Sequence, residues 1–194
     1  PGDDLPTNWG GLLDWMRRGC SVPARTFRAI YNDFDAAWGR TEVEPLSPDR
    51  PVDWRTATQD GAPVDNGQAF RFRGRDLLSD VEMACGRGML WRMTARLIEI
   101  DDLLTGAATS PSANGGVARA ARGAMMVRAR CGDGKVTEFE RLSPTDFALA
   151  PGGVLETALN TLPVKARVPL DALARLIVES IDPCVATEVE MADA

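Results

Sequence analysis

The chain has 194 residues, 44% of them hydrophobic and 26% charged, which fits a single domain able to bury roughly 70% of its unfolded surface without staples. Its net charge is −6 and it has no lysine- or arginine-rich block, which argues against nucleic acid as a partner. Histidine is absent, which removes Ser-His-Asp and Cys-His catalysis, His-ligated zinc and the commonest general base.

Apolar spacing predicts a first helix over 7–18, with Trp9, Leu12, Leu13 and Met16 on one face and Gly19 as its stop. Ser21 caps a second, Pro23 suits its first turn, and Phe27, Ile30, Tyr31, Phe34 and Trp38 carry helical spacing to Gly39. Residues 40–67 hold Pro45, Pro48, Pro51 and Pro63 and few periodic apolar positions. They read as a stiff, ordered loop or linker, of a length that is usually functional or partner-bound. The longest helical stretch, 79–104, places Leu90, Met93, Leu97, Ile100 and Leu104 on a stripe, with Arg92, Arg96, Glu99 and Asp102 off it. Gly86 and Gly88 each cost about 1 kcal/mol in a helix interior, so a break or a close packing partner is expected there. Residues 105–116 are a small-residue loop.

The period then changes. Segments 124–130 and 135–142 flank Cys131-Gly-Asp-Gly and predict a β-hairpin. Ser143-Pro-Thr-Asp opens the next element, and Val154, Leu155, Ala158 and Leu162 suggest a short helix. Pro169 opens a last helix with Leu170, Leu173, Leu176 and Ile177 inward, ending before Pro183. The fold class is therefore α+β in one domain spanning 1–194, mainly helical with one antiparallel hairpin toward the C-terminal side.

None of the four cysteines, Cys20, Cys85, Cys131 and Cys184, lies in a C-x-x-C pair, so a zinc or iron–sulfur signature is missing. The N-terminal stretch is polar and acidic, unlike a signal peptide, and no apolar run approaches the ~20 residues of a membrane span. A reduced, cytoplasmic setting is the expectation.

Three short motifs carry possible chemistry. Cys184 follows Asp182-Pro183, which restrict the backbone and aim the thiol; its ordinary reading is a buried small hydrophobe. Arg122-Gly123 precedes the hairpin. The glycine permits close backbone approach and the guanidinium can serve an anion, although a surface arginine paired with an acid is the simpler reading. Ser143 and Thr145 flank Pro144 as directed hydroxyls, in a composition that equally suits a helix start.

Their order, ARGAMMVRARCGDGKVTEFERLSPTDF followed by IDPCVATEVE, resembles the C-terminal half of NiFe-hydrogenase large subunits. In that family an Arg-Gly motif leads a hairpin, a Pro-Thr-type motif follows, and the chain ends in Asp-Pro-Cys-x-x-Cys-x-x-His. The likeness runs from about Arg119 to Glu190, more loosely back through MLWRMTARLIEIDDLL and SVPARTFRAIYNDF. Thr187 stands where the family has its second terminal cysteine, Glu190 where it has histidine, and the N-terminal C-x-x-C has no counterpart. These departures resemble the HupK/HoxV-type accessory proteins, generally longer chains associated with assembling the iron–cyanide–carbonyl part of the cofactor.

The resemblance implies that Cys184 ligates iron and that Arg122, Thr145 and Ser143 serve the cyanides of an iron–cyanide–carbonyl fragment held transiently. Asp182 would hold Arg122, and Met125 or Leu142 could house the carbonyl. No nickel is expected, and a second thiolate would come from Cys85, Cys131 or a partner. It implies a non-enzymatic maturation scaffold that works with hydrogenase maturation proteins or hydrogenase subunits. The alternative is a non-catalytic adaptor keeping the large-subunit fold to dock a partner.

Overall fold

A computed structural model describes residues 4–35, 38–106, 116–163 and 168–191. Helix α1, Trp9–Arg18, starts where Asn8 accepts from the Gly11 N–H at 2.8 Å and stops at Gly19. Helix α2, Val22–Asp33, is capped by Ser21 with Pro23 in its first turn. It is shorter than its apolar spacing predicts. The chain turns extended at Phe34, whose ring meets Trp38 edge-on at 6.4 Å. That contact and the packing of Phe34 on a core cluster outweigh another helical turn.

The proline-rich stretch after Gly39 is ordered around one buried amide. Gln59 donates to the Ser47 and Arg50 carbonyls, both at 2.8 Å, and accepts from the Ser47 N–H at 2.9 Å. Gln59 ends the first strand of a short ribbon, β1, Thr58–Gln59, paired with β2, Ala62–Pro63. Three satisfied hydrogen bonds from one side chain fix the path of this stretch, whose Ala57 and Val64, with Leu46, Val52 and Trp54 against them, form a small core with Leu142 and Phe147.

A 3-10 helix, Gln68–Phe72, leads into α3, Asp76–Cys85, and α4, Met89–Leu104. The break falls at Gly86-Arg87-Gly88, as the two glycines predict. Arg87, at the break, donates to the Val43 carbonyl at 3.0 Å and ties down the proline-rich stretch. The α4 stripe read from the sequence needs correction. Ile100 is 53% exposed and Leu104 82%, whereas Arg92, placed off the stripe, is 8% exposed. Helix α4 is buried on two sides, not one, so a single-face period misplaces its residues. Leu90, Trp91, Ala95 and Ile98 join a core with α1, α2, the 3-10 helix and α3. Met89 joins a second core with Ile30, Ala158 and Ile177.

The expected hairpin is the larger part of a three-stranded antiparallel sheet, β3 Val117–Ala120, β4 Gly123–Gly132 and β5 Lys135–Leu142, in that order. Asp133 and Gly134 both have positive φ (50° and 72°), the conformation of a two-residue type I′ turn. Strand β3 has no sequence counterpart among the expected elements, and most of the predicted 105–116 loop lies outside the described residues. Helix α5, Pro144–Ala148, opens with a capping box between Ser143 and Asp146. Helices α6, Val154–Leu159, and α7, Leu170–Ile181, complete the chain. Leu173 and Ile177 are buried on α7 as expected. Among the described residues no helix is long and apolar enough to cross a membrane.

Candidate functional site

The site begins with a shelf that fixes Arg122. Residues 121 and 122 form the two-residue turn between Ala120 and Gly123, which pair across β3 and β4. Asn66, at the end of the proline-rich stretch, imitates a strand. It donates to the Ala124 carbonyl at 2.8 Å and accepts from the Ala124 N–H at 2.9 Å. The backbones touch so closely that a Cβ on Gly123 would lie 1.9 Å from the Asn66 carbonyl oxygen, and Gly123 has φ +151°. Only glycine fits there. From beneath, Arg71 donates to the Ala120 and Gly123 carbonyls and pairs with Glu99 at 3.1 Å. Burial lowers the Arg71 pKa, with the Arg119 charge adding to the effect and Glu99 opposing it.

The tail arrives from the other side. Helix α7 ends at Asp182, which adopts left-handed geometry, φ 59° and ψ 59°. A non-glycine residue there is uncommon, and aspartate is among those that tolerate it. The turn reverses the chain ahead of Pro183 and delivers Asp182 and Cys184 to the shelf. The Cys184 N–H donates to Thr145 Oγ1 at 2.8 Å. Arg122 Nη2 donates to Asp182 Oδ1 at 3.1 Å and Nη1 approaches Cys184 Sγ at 3.5 Å. Arg122 Nε lies 2.8 Å from Asp182 Oδ2 but off the hydrogen-bond line, so that N–H makes an ion-pair contact without a satisfied hydrogen bond.

Asp182 has a second cation. Arg96, on α4, lies 3.5 Å from Asp182 Oδ2 and donates to the Glu179 and Ser180 carbonyls, both at 3.1 Å. It thereby holds the C-terminal end of α7, where a positive charge suits the helix dipole. The two arginines respond oppositely. The Asp182 hydrogen bond raises the pKa of half-exposed Arg122, whereas burial outweighs Asp182 and lowers that of Arg96.

Beneath these groups is a hollow of about 40 Å³. Arg122, Thr145, Asp182 and Pro183 line it; Cys184 is exposed at its mouth. Its floor holds Asp65, Arg92 and Trp91. Burial raises the pKa of Asp65 against the opposing fields of Arg92 and Arg87. The apolar lining comes from Pro144, Ala148, Val154 and Ile181 rather than from Met125 or Leu142; Leu142 packs into a separate core with Val64 and Phe147.

The structure thus brings Arg122, Thr145, Asp182 and Cys184 together. Ser143 is elsewhere: it is not in the lining, and its hydroxyl donates to Asp146 Oδ2 at 2.8 Å as part of the α5 cap. Cys184 is exposed, which overturns its reading as a buried hydrophobe. Neither Cys85 nor Cys131 reaches the hollow. Cys85 packs on the first core, and Cys131 lies about 25 Å along β4 from Gly123. All four cysteines are free, and no group of three or more Cys, Asp or Glu positioned to hold a metal occurs among the described residues. Asn66, Asp65, Arg92 and Arg96 were not singled out from the sequence. The Arg92-x-x-x-Arg96 spacing was a usable signal, since it sets both guanidinia on one helical face.

What these residues build is a cation–carboxylate–thiol mouth over a small buried hollow. The chain is 35% identical over 128 residues to the hydrogenase expression/formation protein HupK of Rhodobacter capsulatus, covering 65% of this chain and 42% of that one. It is 35% identical over 114 residues to HupK of Azotobacter vinelandii, covering 55% and 32%, and 34% over 111 residues to HupV of Azotobacter chroococcum mcd 1, covering 54% and 31%. The chain has curated homologues of the type its motifs resemble, and spans less than half their length. No family model and no solved structure matches it.

Proposed function

We propose that this chain serves NiFe-hydrogenase maturation as a scaffold that holds or passes on an iron–cyanide–carbonyl fragment, and does not itself turn over hydrogen. The observation that carries the reading is the meeting of Arg122 Nη1 and Cys184 Sγ at 3.5 Å, across 62 residues of chain. The names of the relatives support a place in hydrogenase assembly. The likeness to the C-terminal half of a large subunit, in this reading, is descent of the pocket without the nickel-binding cysteines.

The chemistry suits such cargo. A sulfur ligand is a soft donor for iron. Cyanide is an anionic acceptor, and Arg122, held by Asp182, presents charge-assisted donors beside the sulfur. The Thr145 hydroxyl accepts from the Cys184 N–H and keeps its own hydrogen for a second cyanide. Pro144, Val154 and Ile181 offer an apolar wall to the carbonyl. With one cysteine at the mouth, further coordination comes from the cargo's own diatomic ligands or from a partner, a maturation protein or hydrogenase subunit.

The test is an infrared spectrum of protein purified with its maturation machinery, in the cyanide and carbonyl stretching region. Cargo bands that disappear in Cys184→Ser are the expected result. A protein with no such bands and a stable stoichiometric complex with a hydrogenase subunit would be the adaptor instead. The observation on that side is the apolar outer hairpin, where Phe139 is 60% and Val136 61% exposed.

A further inference from the structure

The floor of the hollow holds donors that nothing among the described residues uses. Arg92 Nη1 donates to the Gly39 carbonyl at 2.8 Å, but its Nη2 is fully buried without an acceptor. Trp91 lines the same hollow, and its Nε1 is also buried without an acceptor. A buried donor on a charged group that has no acceptor among the described residues costs stability, which favours an acceptor brought from outside them. The lining charges favour an anion. Arg92, Arg96 and Arg122 stand against Asp65 and Asp182, a balance of three positive to two negative. Burial brings Arg92 to a pKa of about 10, which leaves it cationic near neutrality.

Size and charge narrow the class. The hollow is small, about 40 Å³, and favours a small ligand over a nucleotide or a sugar. We propose that the floor of the hollow, formed by Arg92 and Trp91, is a binding site for a monovalent anion of one to three heavy atoms, a halide or pseudohalide. This does not rest on the reading of the mouth, because these donors are unspent whether or not iron docks at Cys184.

The test uses azide, a linear monoanion whose stretching band reports its surroundings, titrated into the whole chain in chloride-free buffer. The expected result is a saturable one-to-one band displaced from that of free azide, with chloride competing if the site accepts halides as well. Arg92→Gln should abolish the displaced band while Cys184→Ser keeps it, which separates this site from the cargo at the mouth. Trp91→Phe removes one donor and leaves a cavity in the core beside the hollow, and should weaken binding about tenfold. If Arg92→Gln does not fold, Trp91→Phe decides. Only free azide in the wild type, a displaced band that survives in folded Arg92→Gln, or unchanged affinity in Trp91→Phe would each overturn the proposal.

Discussion

The two ends of β4 are built by different means. At the far end, Gly132 pairs with Lys135 across a turn of Asp133 and Gly134, and every contact is local. At the near end, Gly123 is held by Asn66, 58 residues away in hydrogen-bond partnership with Ala124, and by Arg71 from the 3-10 helix. One strand thus joins an autonomous hairpin tip to a shelf that exists only when distant segments assemble. The residue that must be placed accurately, Arg122, is on the shelf; exposed Cys131 is toward the tip.

Substitutions that respect or violate this division break or sharpen it. The largest effect is expected from Gly123→Ala. Its Cβ would meet backbone, which cannot swing aside, and the left-handed strain adds to the clash, so a loss of roughly 2–4 kcal/mol should appear in urea unfolding. The Cys184 thiol should also react more slowly with a thiol reagent, because the Arg122 charge beside it shifts away. Asn66→Ala comes next. It strands the Ala124 N–H and carbonyl, at about 2–3 kcal/mol, with the same change in thiol reactivity. At the tip, a Cβ on Gly134 meets nothing within 4 Å, so Gly134→Ala carries only its conformational penalty, about 1 kcal/mol. Thiol reactivity at Cys184 should stay unchanged there; a change would show that the two ends are coupled.

The smallest expected effect is one of pH. Asp65, next to Asn66, has a folded-state pKa raised above its ordinary 3.8, so the folded chain holds that proton more tightly than the unfolded one. Its contribution to stability therefore declines as pH rises through the window above 3.8. Unfolding midpoints of wild type and Asp65→Asn, compared between pH 4 and pH 8, should show the wild type losing ground to the variant as pH increases.

This division also explains what the sequence revealed. Asp133-Gly134 states its turn in two residues, and Ser143-Pro-Thr-Asp states its cap in four, because both are satisfied by near neighbours. Arg122, Asp182 and Cys184 were found through the order of motifs, yet the groups that hold them were not. Asn66 looks like any loop asparagine until Gly123 is beside it. Arg92 fails the single-stripe reading of α4 because that helix has no solvent face where it stands, and a period in one dimension does not register a helix covered on both sides. Ser143 stands apart from the hollow for the opposite reason: its hydroxyl serves a neighbour three residues along.

The double covering of α4 has a mechanical corollary. Met89 belongs to one cluster and Leu90 and Trp91 to the other, so adjacent residues of a single backbone transmit load between them. Neither cluster can dissolve while leaving the other its scaffold. Heat or denaturant should therefore take both apart in one concerted transition, with the N-terminal helices and α7 melting at the same midpoint.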